Sequence, residues 1–316
     1  MSIKKVIKAP LLVVYKFGLK TFGGRGLQKI WPLGIIRDWL SKTVRGLKPE
    51  SVYFRGNTVF LDPNDNLELS IWKESWSVQE IEVMKANIEM GDTVIDVGAN
   101  IGAFTLLFAQ QVGLQGHVFA FEPSPENVSL LQKNVSANGY PNVKIIPKAV
   151  TDKDGKVTLF LSDYNVGDHR IYDPHEKSGG LGNTGAEYER LKDKTGRRKS
   201  VSVEVVSLDN YFRRWEKAVE FVKIDVQGAE ATVCAGMSEI IRKNLKIKIM
   251  IEFWPAGLTM SGANPKEFLE KLREVGFSFF EIDGWRADSK AIGIEDLLKR
   301  YTVENNKTTN LLIKKI

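Results

Sequence analysis

The sequence predicts an α/β domain built on a parallel, doubly wound sheet. From about residue 92 onward, short apolar segments alternate with helical ones, an order typical of strands joined through helices. The 316 residues are 43% hydrophobic and 27% charged, an ordinary globular composition that excludes collagen-like and wholly disordered chains. A glycine-containing junction between the first of these strands and its helix is a further indication, because ligands bind there in such sheets.

The individual elements follow from apolar periodicity and flanking turn residues. The predicted strands are 93–97, 117–121, 143–146, 221–226, 247–253, 277–282 and 311–316, and the predicted helices are 77–89, 103–112, 125–137 and 265–275. Residues 52–61 predict a hairpin around Gly56-Asn57. Ser77 and Glu80 have the spacing of a capping box at the start of their helix.

We divide the chain into three parts. Residues 1–48 are a basic amphipathic N-terminal arm, residues 49–91 are a hairpin and helix that lead into the body, and residues 92–316 are the main domain. Within the main domain, residues 163–200 are polar, contain several glycines and show no apolar periodicity. A long segment of this kind inside a compact domain predicts a lid or an insertion.

Charge is distributed unevenly along the chain. The net charge is +6, but residues 1–48 contain eleven lysines and arginines against one acid, so the remainder carries −4. The body therefore lacks the broad basic surface of a general nucleic-acid binder. Apolar residues at helical spacing within residues 2–20 predict either peripheral contact with an anionic membrane or a helix packed on the body.

Cysteine and hydropathy indicate the compartment. The chain has one cysteine, Cys234, and three histidines, which excludes an intramolecular disulfide and disfavours a Cys/His zinc site. Residues 10–15 form the longest early apolar run, far short of the ~20 residues that span a bilayer. We expect a cytoplasmic protein without a metal site, with peripheral attachment at the inner membrane surface as a further hypothesis.

The strongest chemical signal lies in residues 96–102, with the sequence Asp-Val-Gly-Ala-Asn-Ile-Gly, between the first strand and its helix. Gly98 and Gly102 allow a tight turn and close approach of a ligand. Glu122 stands twenty residues past Gly102, after the second strand. An acid there accepts hydrogen bonds from ribose hydroxyls, so the sequence predicts a nucleoside pocket.

The spacing of the glycines favours one class of nucleoside cofactor. A dinucleotide fingerprint requires G-x-G-x-x-G, and this chain has Asn100 and Ala103 at the second and third glycine positions. Asp96 would repel phosphate but suits a cationic ammonium or sulfonium. We therefore predict S-adenosylmethionine, held by Asp96, Gly98, Asn100 and Gly102, with Glu122 on the ribose.

Four segments together resemble the FkbM family of S-adenosylmethionine-dependent methyltransferases. The segments are 96–102, 121–123 (Phe-Glu-Pro), 205–209 (Val-Val-Ser-Leu-Asp) and 222–230 (Val-Lys-Ile-Asp-Val-Gln-Gly-Ala-Glu). The resemblance implies a Rossmann-like, seven-stranded methyltransferase sheet with helices on both faces and an antiparallel final strand, which 311–316 would supply. It also implies O-methylation of a hydroxyl on a sugar, glycan or natural product. Many relatives have Glu where this chain has Gln227.

Candidate catalytic residues follow from position and chemistry. Asp225 ends the fourth strand at the edge where ligands bind. It is a candidate to position the acceptor or to take its proton, and the alternative is that it caps the following turn. His169 is a base near neutral pH, and Glu252 ends the fifth strand. Glu230 is interpreted as a helix-start acid. Ala149 follows the third strand, where related folds line the adenine.

Other functions remain open from sequence alone. A dinucleotide-dependent oxidoreductase is disfavoured by Asn100 and Ala103. An RNA methyltransferase would use the basic arm, but the Asn/Asp-Pro-Pro-aromatic tetrad that stacks a base is replaced by residues 225–228. A non-catalytic, membrane-associated binder is a further alternative. The expected partner is a small-molecule or glycan acceptor rather than a nucleic acid.

Overall fold

A computed structural model describes residues 49–62, 77–162, 167–173, 199–284, 286 and 289–315. The predictions for the arm, residues 1–48, and for most of the segment 163–200 lie outside the described residues. No helix among the described ranges is long and apolar enough to cross a membrane.

The described elements follow the predicted order closely. The strands are β1 Ser51–Phe54, β2 Asn57–Phe60, β3 Thr93–Val97, β4 His117–Phe121, β5 Val143–Ile146, β6 Ala149–Val150, β7 Gly155–Phe160, β8 Ser200–Val206, β9 Phe221–Ile224, β10 Lys248–Phe253, β11 Phe277–Glu281 and β12 Thr309–Lys315. The helices are α1 Val78–Asn87, α2 Ala103–Val112, α3 Pro125–Asn138, α4 Leu208–Tyr211, α5 Glu230–Ala235, α6 Ser238–Lys243, α7 Pro255–Ser261, α8 Pro265–Glu274 and α9 Ile294–Arg300.

Seven strands form the main sheet in the order β11-β12-β10-β9-β3-β4-β5. β12 runs antiparallel to both of its neighbours, while the pairs β10–β9, β9–β3, β3–β4 and β4–β5 are parallel. The fold is the predicted Rossmann-like methyltransferase sheet, including its antiparallel last strand. Because the other strands are parallel, their carboxyl ends meet at one edge, where ligands bind in open α/β sheets.

Two apolar layers cover the two faces of the sheet. Alternation along β3 sends Val94 to the layer that contains α1, α2, α3 and the hairpin, and Ile95 and Val97 to the layer that contains α4, α5, α6, α8 and α9. Strands buried on both faces consist mostly of apolar residues. Asp96 and Lys223 lie opposite each other in β3 and β9. They are charged residues within mostly apolar strands, and their role is described with the site below.

Two smaller sheets flank the main one. β1 and β2 form the predicted hairpin, and Asn134 and Asn138 of α3 bind its backbone through side-chain hydrogen bonds. β6, β8 and β7 form a separate three-stranded sheet beside the carboxyl end of β5. The strand-like segments on either side of residues 163–200 therefore pair directly with each other.

The capping box predicted at Ser77 is wrong. Ser77 has a left-handed backbone (φ 50°), and its side chain makes no capping hydrogen bond. Glu80 instead accepts a hydrogen bond from Asn310 Nδ2 of β12 (2.9 Å). This tertiary contact replaces the local pairing that the sequence spacing suggested, and it ties α1 to the sheet edge that carries the ligand cleft.

Candidate active site

A cleft of about 290 Å³ lies at the carboxyl ends of β3, β4 and β9. Its walls include five of the predicted cofactor residues, two of the predicted catalytic residues, and residues from α1, β12 and the segment 167–173. The lining predicted residues are Asp96, Gly98, Asn100, Glu122, Ala149, Asp225 and His169. Gly102 and Glu252 are not part of the wall, although both support it.

Gly98 and Gly102 shape the loop between β3 and α2. Gly98 has φ 81°, and a Cβ there would lie only 2.0 Å from the carbonyl oxygen of Asp225. Gly102 has φ 91°, and a Cβ would lie 2.4 Å from Leu131 Cδ1. The glycines are thus required because the loop packs against β9 and α3, in addition to any approach to a ligand.

Glu122 holds the loop from the other side. Its Oε2 accepts a hydrogen bond from the backbone N–H of Asn100 (2.8 Å), and its Oε1 accepts from the backbone N–H of Ser124 (2.9 Å) and from Asn127 Nδ2 (3.3 Å). Burial raises the pKa of Glu122 to about 7, and these hydrogen bonds only partly offset that effect. Glu122 therefore supports the cofactor loop and also presents a carboxylate to the cleft.

Asp96 is fully buried under the same loop. Its Oδ2 accepts a hydrogen bond from Thr105 Oγ1 (2.6 Å), but its Oδ1 has no hydrogen-bond partner in the described part of the chain. Burial raises the pKa of Asp96, and the neighbouring Lys223 opposes that shift. An unpaired buried acceptor is costly, so this oxygen is available to a donor or cation that enters the cleft.

Lys223, Asp225 and Gln227 form a polar cluster at the end of β9. Lys223 Nζ lies 3.1 Å from Asp225 Oδ2 and 5.0 Å from the centroid of the Phe104 ring. Gln227 Nε2 donates to Asp225 Oδ1 (2.9 Å) and to Glu252 Oε2 (3.3 Å). The amide therefore bridges two carboxylates, while the lysine pairs with Asp225 alone. The Asp225 side chain remains 42% exposed because it faces the cleft.

The ionisation of this cluster is uneven. Burial opposes the charge on Asp225, but Lys223 and the amide of Gln227 together hold the pKa of Asp225 below its ordinary value. Burial, reinforced by the charges of Asp225 and Glu230, raises the pKa of Glu252 well above its ordinary value. Burial alone would lower the pKa of Lys223, but Asp225 and Asp96 raise it.

Glu230 has the structural role that the sequence suggested. Its Oε1 accepts hydrogen bonds from the backbone N–H groups of Val226 (3.2 Å) and Gly228 (3.0 Å). It thereby satisfies the turn after β9, in which Gln227 has φ 56° and Gly228 has φ 105°. Because Glu230 binds the turn, Asp225 is left to bind the side chains of the cluster.

The segment 167–173 forms one wall of the cleft through alternate residues. Gly167, His169 and Ile171 line the cleft, while Tyr172 donates a hydrogen bond to the carbonyl oxygen of Gln227 (2.7 Å). Ser162 N donates to His169 Nδ1 (3.0 Å). A neutral His169 therefore carries its proton on Nε2, which makes it a donor rather than a base at that atom.

Comparison with known families identifies the chain. Residues 96–279, more than half of the sequence, match the family described as the methyltransferase FkbM domain. The chain belongs to the FkbM methyltransferase family. This FkbM methyltransferase uses S-adenosylmethionine. The prediction of that cofactor instead of a dinucleotide is therefore confirmed.

Named relatives are also methyltransferases. Methyltransferase sdnD of Sordaria araneosa is 26% identical over 193 residues, or 55% of this chain and 71% of that protein. The 2-O-methyltransferase NoeI of Sinorhizobium fredii is 27% identical over 158 residues, or 49% of this chain and 62% of that protein. An rRNA methylase from Streptococcus thermophilus has 10% identity and a TM-score of 0.41 over 75% of this chain and 94% of that one, a score that adds nothing to the fold described above.

The cleft fits S-adenosylmethionine on its own chemistry. Asp96 Oδ1 and Asn100 Oδ1 are buried acceptors with no hydrogen-bond partner among the described residues, and such acceptors suit the ammonium and sulfonium of the cofactor. Glu122, which also lines the cleft, has the residue type that would accept hydrogen bonds from ribose hydroxyls. In the described ranges, no group of three or more His, Cys, Asp or Glu side chains is placed to hold a metal ion.

Sequence reasoning missed three contributors to the site. Lys223 lies inside an apolar strand, and a single charged residue there does not by itself indicate a function. Its position two residues before Asp225 could have indicated that the two side chains lie on the same face of the strand. Ser77 and Asn310 reach the cleft from α1 and β12. Only the tertiary fold brings those elements to the carboxyl end of β3, so no local sequence pattern predicts that these two residues line the cleft.

Proposed function

We propose that this methyltransferase methylates a hydroxyl oxygen of a sugar, glycan or natural-product acceptor. The observation that carries the proposal is the cluster of Lys223, Asp225 and Gln227 on the cleft wall at the end of β9. A hydroxyl both donates and accepts hydrogen bonds. The cluster offers an ionised carboxylate to receive the hydroxyl hydrogen and an ammonium to face the oxygen.

The polarity of the cleft supports an acceptor with several hydroxyls. Beyond the cluster, Ser77, Glu80 and Asn310 also line the cleft. Asn310 Nδ2 donates to Glu80 Oε1 (2.9 Å), which fixes both side chains. Specific small-molecule sites orient their ligand through a few fixed polar groups, and these carboxylate and amide groups match the ring hydroxyls of a sugar.

The residues of this chain have distinct tasks in the reaction. When bound, S-adenosylmethionine supplies a methyl group activated by its sulfonium. Asp225 accepts a hydrogen bond from the acceptor hydroxyl and takes its proton as the new carbon–oxygen bond forms. Lys223 and Gln227 hold the Asp225 carboxylate ionised and oriented. Because a carboxylate of lowered pKa is a weak base, orientation contributes more than basicity.

The relatives support oxygen as the acceptor atom. NoeI is named a 2-O-methyltransferase, and it is 27% identical to this chain over 158 residues. Transfer of this property to the present chain is part of the proposal. The identity of the acceptor within the sugar, glycan and natural-product class is left to experiment.

The proposal is tested with the full-length protein, S-adenosylmethionine and a panel of sugars, glycans, hydroxylated natural products and RNA. Mass spectrometry should find one added methyl group on a hydroxyl. Asp225→Asn should lower kcat by at least about 100-fold while binding the cofactor normally. Asp152→Asn, an exposed acid outside the cleft, is the matched control. Methylation of RNA or of an amine, or full activity of Asp225→Asn, would contradict the proposal.

A further inference from the structure

The loops that lead into the parallel strands form a second surface, at the end of the sheet opposite the cleft. We call this surface the N-terminal edge and define it as residues 88–92, 113–116, 213–220, 242–247 and 275–276. It takes no part in the proposed reaction. Its composition differs from that of the acidic body around it.

Large apolar side chains concentrate on the N-terminal edge. Six such side chains are exposed among the described residues, and four of them lie here: Met90 (82% exposed), Leu114 (78%), Leu245 (73%) and Val275 (49%). A Cβ at Gly113 would lie 3.3 Å from Met90 Cγ, so Met90 lies beside the Leu114 loop. Single exposed apolar residues need no explanation, but a cluster indicates an interaction site.

Hydrogen bonds join the separate loops into one surface. Thr93 N donates to Glu220 Oε2 (2.8 Å), which connects the Met90 loop to residues 213–220. Val219 N donates to Asn244 Oδ1 (2.9 Å), which connects that segment to the loop that carries Leu245. The apolar side chains therefore project from a continuous edge instead of from independent loops.

The centre of the N-terminal edge is basic. Exposed lysines and arginines in residues 213–217 and 243–246 outnumber the one acid in those two segments, Glu216. The basic residues are Arg213, Arg214, Lys217, Lys243 and Lys246. Glu89 and Asp92 lie toward the Met90 end. Because residues 49–316 carry a net charge of −4, this central group of cations is a local excess.

A cavity of about 270 Å³ opens in this basic centre, with Trp215, Lys217 and Lys243 in its wall. Trp215 Nε1 is buried and has no hydrogen-bond partner in the described chain. Two of the acids that also line the cavity are engaged elsewhere. Asp209 Oδ1 accepts from the backbone N–H of Ile240 (2.9 Å), and Glu239 pairs with Arg242 (2.6 Å).

We propose that the N-terminal edge docks on an anionic phospholipid membrane. A lipid phosphate is held by Lys217 and Lys243 and accepts a hydrogen bond from the indole N–H, while Met90, Leu114 and Leu245 reach the acyl boundary. Cations beside protruding apolar side chains are the combination that anionic lipid surfaces bind. The cleft, at the opposite end of the sheet, then faces away from the membrane.

Charge and chemistry argue against the other occupants. A second copy related by a two-fold axis would place the basic centre against itself. Residues 1–48 carry +10 and would be repelled from the same cations. Single-stranded RNA is held by stacking on aromatic side chains, whereas the protruding side chains here are aliphatic.

The first test reports which surface touches the lipid. Burial raises the pKa of the Cys234 thiol, so Cys234 reacts slowly and an introduced exposed cysteine can be labelled selectively. Full-length Leu114→Cys, carrying an environment-sensitive fluorophore, is mixed with vesicles of equal parts phosphatidylglycerol and phosphatidylcholine. We expect a blue shift that phosphatidylcholine vesicles do not produce. Lys153→Cys, on the exposed turn before β7, should show none. Vesicle binding without a shift at Leu114→Cys would overturn the proposal.

The second test removes three of the five cations. Arg213→Gln, Arg214→Gln and Lys246→Gln together should lower the vesicle partition coefficient by about 100-fold, and Trp215→Phe, which keeps the ring but removes the N–H, should lower it further. Lys153→Gln with Lys156→Gln is the matched control and should change it little. Three results would each refute membrane docking. The folded triple variant could partition as the parent does; the parent could form a dimer that Leu114→Ser dissociates; or the parent could bind RNA and the triple variant could lose that binding.

Discussion

At the scale of single residues, Asp225 and Glu252 show how two neighbouring carboxyl groups come to have opposite pKa shifts. Both accept a hydrogen bond from the same amide, Gln227 Nε2. Only Asp225 also has the Lys223 ammonium, at 3.1 Å, so its pKa is lowered while burial raises that of Glu252. The amide therefore joins two carboxyl groups whose pKa values are shifted in opposite directions, with a cation beside only one of them.

Glu122 predicts a pH dependence of cofactor binding. Two backbone N–H groups and one side-chain amide donate hydrogen bonds to its carboxylate. Burial raises the pKa of this group to about 7. Protonation near that pH takes away a hydrogen-bond acceptor that the loop and the ribose need. The affinity for S-adenosylhomocysteine, measured by calorimetry, should fall as pH drops below about 7. Glu122→Ala should weaken binding by ~1–3 kcal/mol and abolish this dependence. An unchanged affinity in folded Glu122→Ala would remove Glu122 from the site.

At the scale of elements, Gly98 tests how tightly the β3–α2 loop packs on β9. Gly98→Ala combines a left-handed backbone with a Cβ 2.0 Å from the Asp225 carbonyl oxygen. We expect a loss of at least about 2 kcal/mol in the free energy of unfolding, measured by urea denaturation, and a loss of cofactor binding. Gly91→Ala is the control, because Gly91 has φ 93° with no atom within 4 Å, and it should cost about 1 kcal/mol. Equal costs for the two variants would contradict the close packing.

The turn after β9 predicts a pH-dependent stability. Burial, with a smaller contribution from Asp225, raises the pKa of Glu230 to about 7 in the folded protein. A raised pKa means that the folded state holds the proton more tightly, so stability is lost as pH rises from about 4.5 to about 7, by up to about 3 kcal/mol. Glu230→Gln cannot ionise and should therefore gain stability relative to the parent over that range in urea titrations. A constant difference between the two proteins would show that Glu230 does not titrate there.

The sequence predicted the elements of the main sheet because their signal is local. Apolar segments bounded by Gly, Pro and Asn placed β3, α2, β4 and β5 at their observed bounds. The capping box at Ser77 failed because Glu80 binds Asn310 across 230 positions. Gln227, whose amide makes two tertiary hydrogen bonds, likewise has a left-handed backbone that the sequence did not predict. Contacts that depend on tertiary distance or unusual backbone angles leave no periodic trace in the sequence.

At the scale of the whole molecule, charge is separated along the chain. Residues 1–48 carry +10 and the remainder −4, and we propose that residues 2–20 of the arm also contact anionic lipid. A variant that starts at Pro49 should bind anionic vesicles less tightly in co-sedimentation, with a weaker salt dependence. Cofactor affinity should be unchanged, since the described cleft residues lie in residues 77–310. Equal sedimentation of both proteins, or unfolding of the shorter one, would assign the arm a structural role.

The antiparallel strand β12 has a consequence for how the protein is made. β12 is the last described strand along the chain, yet it lies between β10 and β11. Until the ribosome has delivered residues 309–315, β10 therefore presents an open edge of unpaired N–H and C=O groups, and β11 has no neighbour in the sheet. Such edges pair readily with other chains. Nascent chains of this protein should consequently depend on chaperones until synthesis of β12 is complete, even though the cofactor loop and its supporting strands emerge much earlier.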